Sequence, residues 1–209
     1  MKQLGICVIG FYTLVPSNAA QSQEIHQPTM AEPALRSELL QRAEKDQAIR
    51  KELIAEGAGK PNKEILQRMK SIDESNTRRM RQIVKKHGWP SPRLVGRDGV
   101  QAAFLLVQHS EHDFQKEMLP LVKEAYYSGS LAGQSYALLL DRVLVGDGQP
   151  QVYGTQAKPI EEWKGNEATL QPIKDEANVD KRRSDVGLPP LSEYRKLLKD
   201  FYFPEDDGS

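Results

Sequence analysis

Apolar residues recur at helical spacing along most of the chain, and Gly, Pro and Asn punctuate the runs. Leu35, Leu39, Ala43, Ile49 and Leu53 form one stripe among charges and predict a helix over Ala34 to Glu56. After the breaker Gly57-Ala58-Gly59-Lys60-Pro61, Asn62 is a natural N-cap. A second stripe follows in Ile65, Met69, Ile72, Met80 and Ile83, ended by Gly88-Trp89-Pro90. Two helices joined by a short turn make an antiparallel hairpin over 34–87.

Asp98 to His109 is apolar on most sides and reads as the central buried helix. Asp113 to Tyr127 turns Phe114, Met118, Leu121 and Val122 inward, with Pro120 predicting a kink or a restart. Leu131 to Val145 is the next helix, stopped by Gly146-Asp147-Gly148. Gln149 to Gln156 reads as a short extended segment, and 157–176 as a small β-hairpin with Thr169 to Ile173 as the return strand. A short helix over Asn178 to Val186 and a last one to about Tyr202, capped by Ser192, close the pattern. The expected fold is mainly α: a compact helical core domain over 88–203 with a small extended or β-hairpin element, preceded by the antiparallel helical hairpin. An acidic tail follows at 204–209.

The N-terminus breaks this helical pattern. Lys2, an apolar run from Leu4 to Val15 and the exit Pro16-Ser17-Asn18-Ala19-Ala20 have the form of a signal peptide over 1–20. That run is shorter than the roughly 20 residues a membrane span needs, so the mature chain is expected to have no stable membrane span. Residues 21–33 are polar, with two prolines, and read as a flexible lead-in. The expected destination is export, to the periplasm or beyond. Cys7 is the only cysteine and would leave with the signal, which excludes thiol chemistry from the mature chain.

Across 209 residues, 29 Lys and Arg offset 29 Asp and Glu. A neutral chain argues against a nucleic-acid binder, which needs a clear basic excess. The neutrality is unevenly spread, because residues 35–86 carry 14 Lys/Arg against 8 Asp/Glu. The hairpin 34–87 is thus a candidate surface for a protein or anionic partner, although a run such as Arg78-Arg79-Met80-Arg81 is also the ordinary solvated face of a helix.

Candidate chemistry lies mostly in the core domain. Gln108-His109 ends the apolar central run, and His109 is the side chain that titrates nearest neutrality. Were the helix to continue, His112 and Asp113 would share its face. Such a set needs further ligands from elsewhere, and no metal is assigned. Asp141-Arg142 sits in an apolar helix, where burial requires pairing. It reads either as an ion pair pinning the helix to residues 151–156 or as an anion clamp, with Arg142 the fork and Asp141 orienting it. Gln151, Tyr153, Thr155 and Gln156 form the densest neutral polar cluster, around Gly154. GxSxG, HExxH, P-loop and GxGxxG signatures are absent, and the cofactor is left unknown.

These motifs together resemble a bacterial family known as domain of unknown function 6624. The matching residues include Gly88-Trp89-Pro90, Gln108-His109 with Asp113 and Gln115, Leu119-Pro120, Asp141-Arg142 and Gln151-Val152-Tyr153-Gly154-Thr155-Gln156. They continue through Pro172-Ile173, Asn178-Val179-Asp180, Arg182-Arg183, Gly187-Leu188 and Tyr194, covering about 75–198. The resemblance implies no reaction. It does imply that these polar residues belong to one family pattern and favours a shared pocket. His109, Asp141 and Arg142 are its expected catalytic groups, and Gln108, Gln151, Tyr153 and Gln156 its ligand-binding groups. A small polar or anionic ligand is the expected occupant. The rival expectation is a non-catalytic interaction module in which the same cluster is a buried structural network.

Overall fold

The computed structural model of the chain describes residues 31–56 and 62–203. The expected signal segment, most of the lead-in, the turn at 57–61 and the acidic tail lie outside the described residues. The described part contains seven α-helices: α1 (Pro33–Ala55), α2 (Lys63–His87), α3 (Pro92–Gln108), α4 (His112–Tyr127), α5 (Gly133–Gly146), α6 (Val179–Asp185) and α7 (Leu191–Tyr202). The chain is mainly α, as the apolar stripes predict. Among the described residues no helix is long and apolar enough to cross a membrane.

Local chemistry sets the boundaries. The side chain of Asn62 accepts a hydrogen bond from the Glu64 amide at 2.9 Å and caps α2. Gly88 ends α2 with φ of 72°. α3 begins earlier than its apolar run, at Pro92 behind the Ser91 cap, and breaks its helical geometry at Gly96, where φ is 75°. α4 runs on through Pro120. Ser192 lies inside α7 and does not cap it. The amide of Leu191 donates instead to the Asp180 carboxylate on α6 at 2.7 Å, so the cap comes from a neighbouring helix.

The hairpin is part of the main core. α1 packs chiefly on α3, and Leu35, Leu39, Met80 and Ile83 join Val95, Phe104, Leu106, Phe114, Met118 and Leu139 in one buried cluster. A smaller core of Trp163, Leu170, Val179, Leu191 and Leu198 organises the C-terminal part. In place of strands, residues 151–173 make isolated bridges among the described residues: Gln151 with Ile173 in parallel, and Ala157 with Leu170 and Lys164 with Glu167 in antiparallel. A 3-10 turn at Ile160–Glu162 falls between the two antiparallel bridges, and no continuous ladder forms among the described residues. The loop after α5 thus lies between the two cores, where Gln151 is fully buried.

Candidate functional site

The apolar stripe of α1 is interrupted at its centre. Asp46 and Arg50 fall on the same face as Leu39, Ala43 and Leu53, and both are buried. Buried ions are costly unless paired and hydrogen-bonded, and these are. One oxygen of Asp46 meets Nη1 of Arg50 at 2.8 Å, and the other meets Nδ1 of His109 at 2.8 Å. Arg50 reaches α2 through its second nitrogen, which donates to both oxygens of Asp73 at 2.9 and 3.0 Å. Burial pushes the Asp73 carboxyl above the usual carboxylate range, opposed by the neighbouring Arg50 guanidinium. The network joins α1, α2 and the end of α3. With Asp46 also bound by Arg50, its carboxylate is the acceptor and Nδ1 of His109 carries the hydrogen.

His109 stands at the wall of a cleft of about 780 Å³. Its lining comes from α2 and from the turn at His109, Ser110 and Glu111. Leu66 and Met69 supply apolar surface, and the cations Lys70, Arg78 and Arg81 stand among the carboxylates Asp73, Glu74 and Glu111. Arg81 is held by Glu117 and Glu111 and lies 4.4 Å over the Phe114 ring. Arg78 is exposed and has no ion-pair partner among the described residues. The cleft therefore combines apolar surface, balanced charges with Arg78 unpaired among the described residues, and a buried, carboxylate-backed histidine in its wall.

The second polar cluster surrounds Asp141, fully buried on α5. Its carboxylate accepts from the amides of Val152 at 2.7 Å, Tyr153 at 3.0 Å and Thr155 at 3.0 Å, and from the Thr155 hydroxyl at 3.0 Å. Burial raises its pKa, and the three amides pull the other way. The side chain of Gln151 closes the same loop, donating to the carbonyls of Gln156 at 3.0 Å and Gln171 at 2.8 Å while accepting from the Gln156 amide at 2.8 Å. From the other side Arg183 donates to the carbonyls of Pro189 at 2.6 Å and Tyr153 at 2.7 Å. Arg182 donates to the carbonyl of Val152 at 2.9 Å. Asp141 thus pins α5 to the loop through backbone amides, where an ion pair was one of the two sequence expectations. The Tyr153 phenol is pushed up to about 12, first by burial and then by Tyr136 and Asp141.

The structure distributes the seven expected site residues over these two clusters. His109 belongs to the α1–α2–α3 network. Gln108 is buried beside it, its backbone carbonyl accepting from the Gln115 side chain at 2.9 Å. Asp141, Gln151, Tyr153 and Gln156 belong to the loop cluster, with Arg142 half-buried next to Asp141 on α5. His112 and Asp113 start α4 after a break in the helix. His112 pairs with Asp147 at 2.9 Å instead of extending His109's face. Sequence reasoning missed Asp46, Arg50 and Asp73, although two charges on an apolar stripe were a signal that could have found the first two.

The fold and site define a helical protein with a carboxylate-backed histidine at a cleft and a separate polar lock under its C-terminal loops. The chain belongs to the family described as "Family of unknown function (DUF6624)", which matches residues 33–204. That match takes in the hairpin as well as the motifs beyond it. No curated protein and no solved structure matches the chain.

Proposed function

We propose that this is an exported ligand-binding protein whose cleft between α2 and the 109–111 turn receives a small anionic molecule, with His109 exchanging a proton with it. The observation that carries this reading is the pairing of His109 with buried Asp46 at the cleft wall. A carboxylate behind Nδ1 orients the ring and stabilises the imidazolium once formed. Arg78 supplies charge for an acidic group, and Leu66 and Met69 supply surface for an apolar body. Export rests on the residue pattern of 1–20.

A specific observation favours a second reading for the Asp141 cluster. Four donors already saturate its carboxylate, so it serves as a structural lock. The hairpin can then act as a partner-binding surface without chemistry at that loop.

Titrating the protein with succinate, benzoate and phenyl phosphate while following the His109 ring resonances tests the cleft. At least one probe should shift them saturably in the wild type, and Arg78→Ala should weaken that response severalfold. No movement of His109 with any probe, or equal binding by R78A, would refute the reading. Mass spectrometry of protein recovered from the exported fraction should find a mature N-terminus after Ala19 or Ala20.

A further inference from the structure

A second groove, sharing no lining residue with the His109 cleft, runs between α1 and α2 with a volume of about 440 Å³. Its α1 side presents Glu38, Arg42 and Lys45, and its α2 side Ser71, Ser75 and Asn76. Asn76 is 3% exposed, and its Oδ1 accepts from Nη1 of Arg42 at 3.2 Å. That bond fixes which way the amide points, because turning it over would set its N–H₂ against the guanidinium. The Nδ2 donor so oriented has no acceptor among the described residues. A buried donor without an acceptor costs free energy and is uncommon enough to call for an explanation.

The surrounding chemistry says which kind of group would satisfy it. Among the described residues Glu38 is the only carboxylate in the groove wall, and it is committed to Arg79 at 2.7 Å and Arg42 at 2.9 Å. Arg79 above all holds it down to about 2. Lys45 is exposed and has no ion-pair partner among the described residues. Ser71 and Ser75 add hydroxyl donors. The groove wall thus carries two cations, Arg42 and Lys45, against one carboxylate that Arg79 also neutralises from behind.

We infer that this groove binds a small molecule through a carboxylate or phosphate group, held by Lys45, Arg42 and the amide of Asn76. Lys45 neutralises the charge from the solvent side, and Asn76 reads the oxyanion from the floor.

The test uses the full chain with uniform ¹⁵N labelling, titrated with malonate, with glycerol phosphate and with sodium chloride at matched ionic strength. The side-chain amide signals of Asn76 should shift saturably with malonate or glycerol phosphate and stay still with chloride. A response to malonate alone assigns a carboxylate ligand, and a response to glycerol phosphate alone assigns a phosphate. Lys45→Ala, an exposed substitution that leaves the fold intact, should weaken binding roughly tenfold, as the loss of one charge-assisted hydrogen bond would. His109→Gln should leave this response unchanged, which separates the groove from the cleft. A shift equal to that with chloride, a non-saturating one, or unaltered affinity in K45A would overturn the inference.

Discussion

Asp46 and His109 lie 63 positions apart in sequence and 2.8 Å apart in the fold. The bond ties the middle of α1 to the turn after α3 at a point from which water is excluded. Asp46→Ala leaves Arg50 and His109 facing a buried gap, and it should lower unfolding free energy by about 3–5 kcal/mol, as breaking a buried ion pair does. His109→Ala should cost less, because Arg50 still holds Asp46. In a double-mutant cycle by urea denaturation the two losses should be non-additive by about 1–3 kcal/mol. Additivity within error would show that the pair is not coupled.

The Asp141 cluster predicts a different response. Asp141→Asn keeps shape and volume but replaces one acceptor oxygen with a donor facing the amides and hydroxyl that now converge on the carboxylate. The expected loss is about 2–4 kcal/mol, from donors left buried and unmet. Thr155→Val removes one of those donors without adding a repulsive contact and should cost about 1–2 kcal/mol. Hydrogen exchange gives the local check: the amides of Val152, Tyr153 and Thr155 should lose protection in D141N before those of α3 do. Equal loss across the molecule would argue that the loop is not a separate lock.

These two sites were unequally legible in the sequence. Asp141 stands out because a charge within Leu138-Leu139-Leu140 and Val143-Leu144 has to be paired. His109 stands out because it ends an apolar run. Asp46 and Arg50 do not, since charged residues are common on amphipathic helices and only their phase relative to Leu39 and Leu53 marks them as inward. Asp73 becomes significant only when α2 is laid against α1, which no local pattern encodes. The helices themselves were readable because their apolar stripes are long. The start of α3 was harder to place, since Gly96 interrupts its geometry between Pro92 and the apolar run. A single shared pocket could not be tested from motif order, because contact between distant segments is set by packing.

Acid should loosen the hairpin through Glu38. Arg79 and Arg42 hold its carboxyl near 2, below its ordinary value of 4.5. A depressed folded-state pKa means that its stabilising contribution is complete above about 4.5 and is lost as pH falls toward about 2. Because the side chain is partly solvated, the effect is small per site. Glu38→Gln should therefore lower stability at pH 7 and shrink the difference in unfolding midpoint between pH 6 and pH 3. An unchanged acid slope in E38Q would assign the acid sensitivity to other carboxylates, such as Asp98 and Asp147, which are also held low by cationic partners.

Two glycines with nearly the same backbone separate conformational cost from packing cost. Gly148 has φ of 72° and Gly154 φ of 70°, a region that side chains other than glycine rarely adopt. A Cβ at Gly148 would meet nothing within 4 Å, so Gly148→Ala should lose only the backbone term, about 1 kcal/mol. A Cβ at Gly154 would come within 2.9 Å of the side-chain tips of Ile173 and Leu191. Those tips belong to the smaller C-terminal core, so their displacement disturbs its packing. Gly154→Ala should thus cost about 1–2 kcal/mol more than Gly148→Ala, with the excess set by overpacking. Thermal unfolding of the two variants side by side reads that difference. If the losses are equal, the loop has room to move, and its rigidity rests on the Asp141 hydrogen bonds alone.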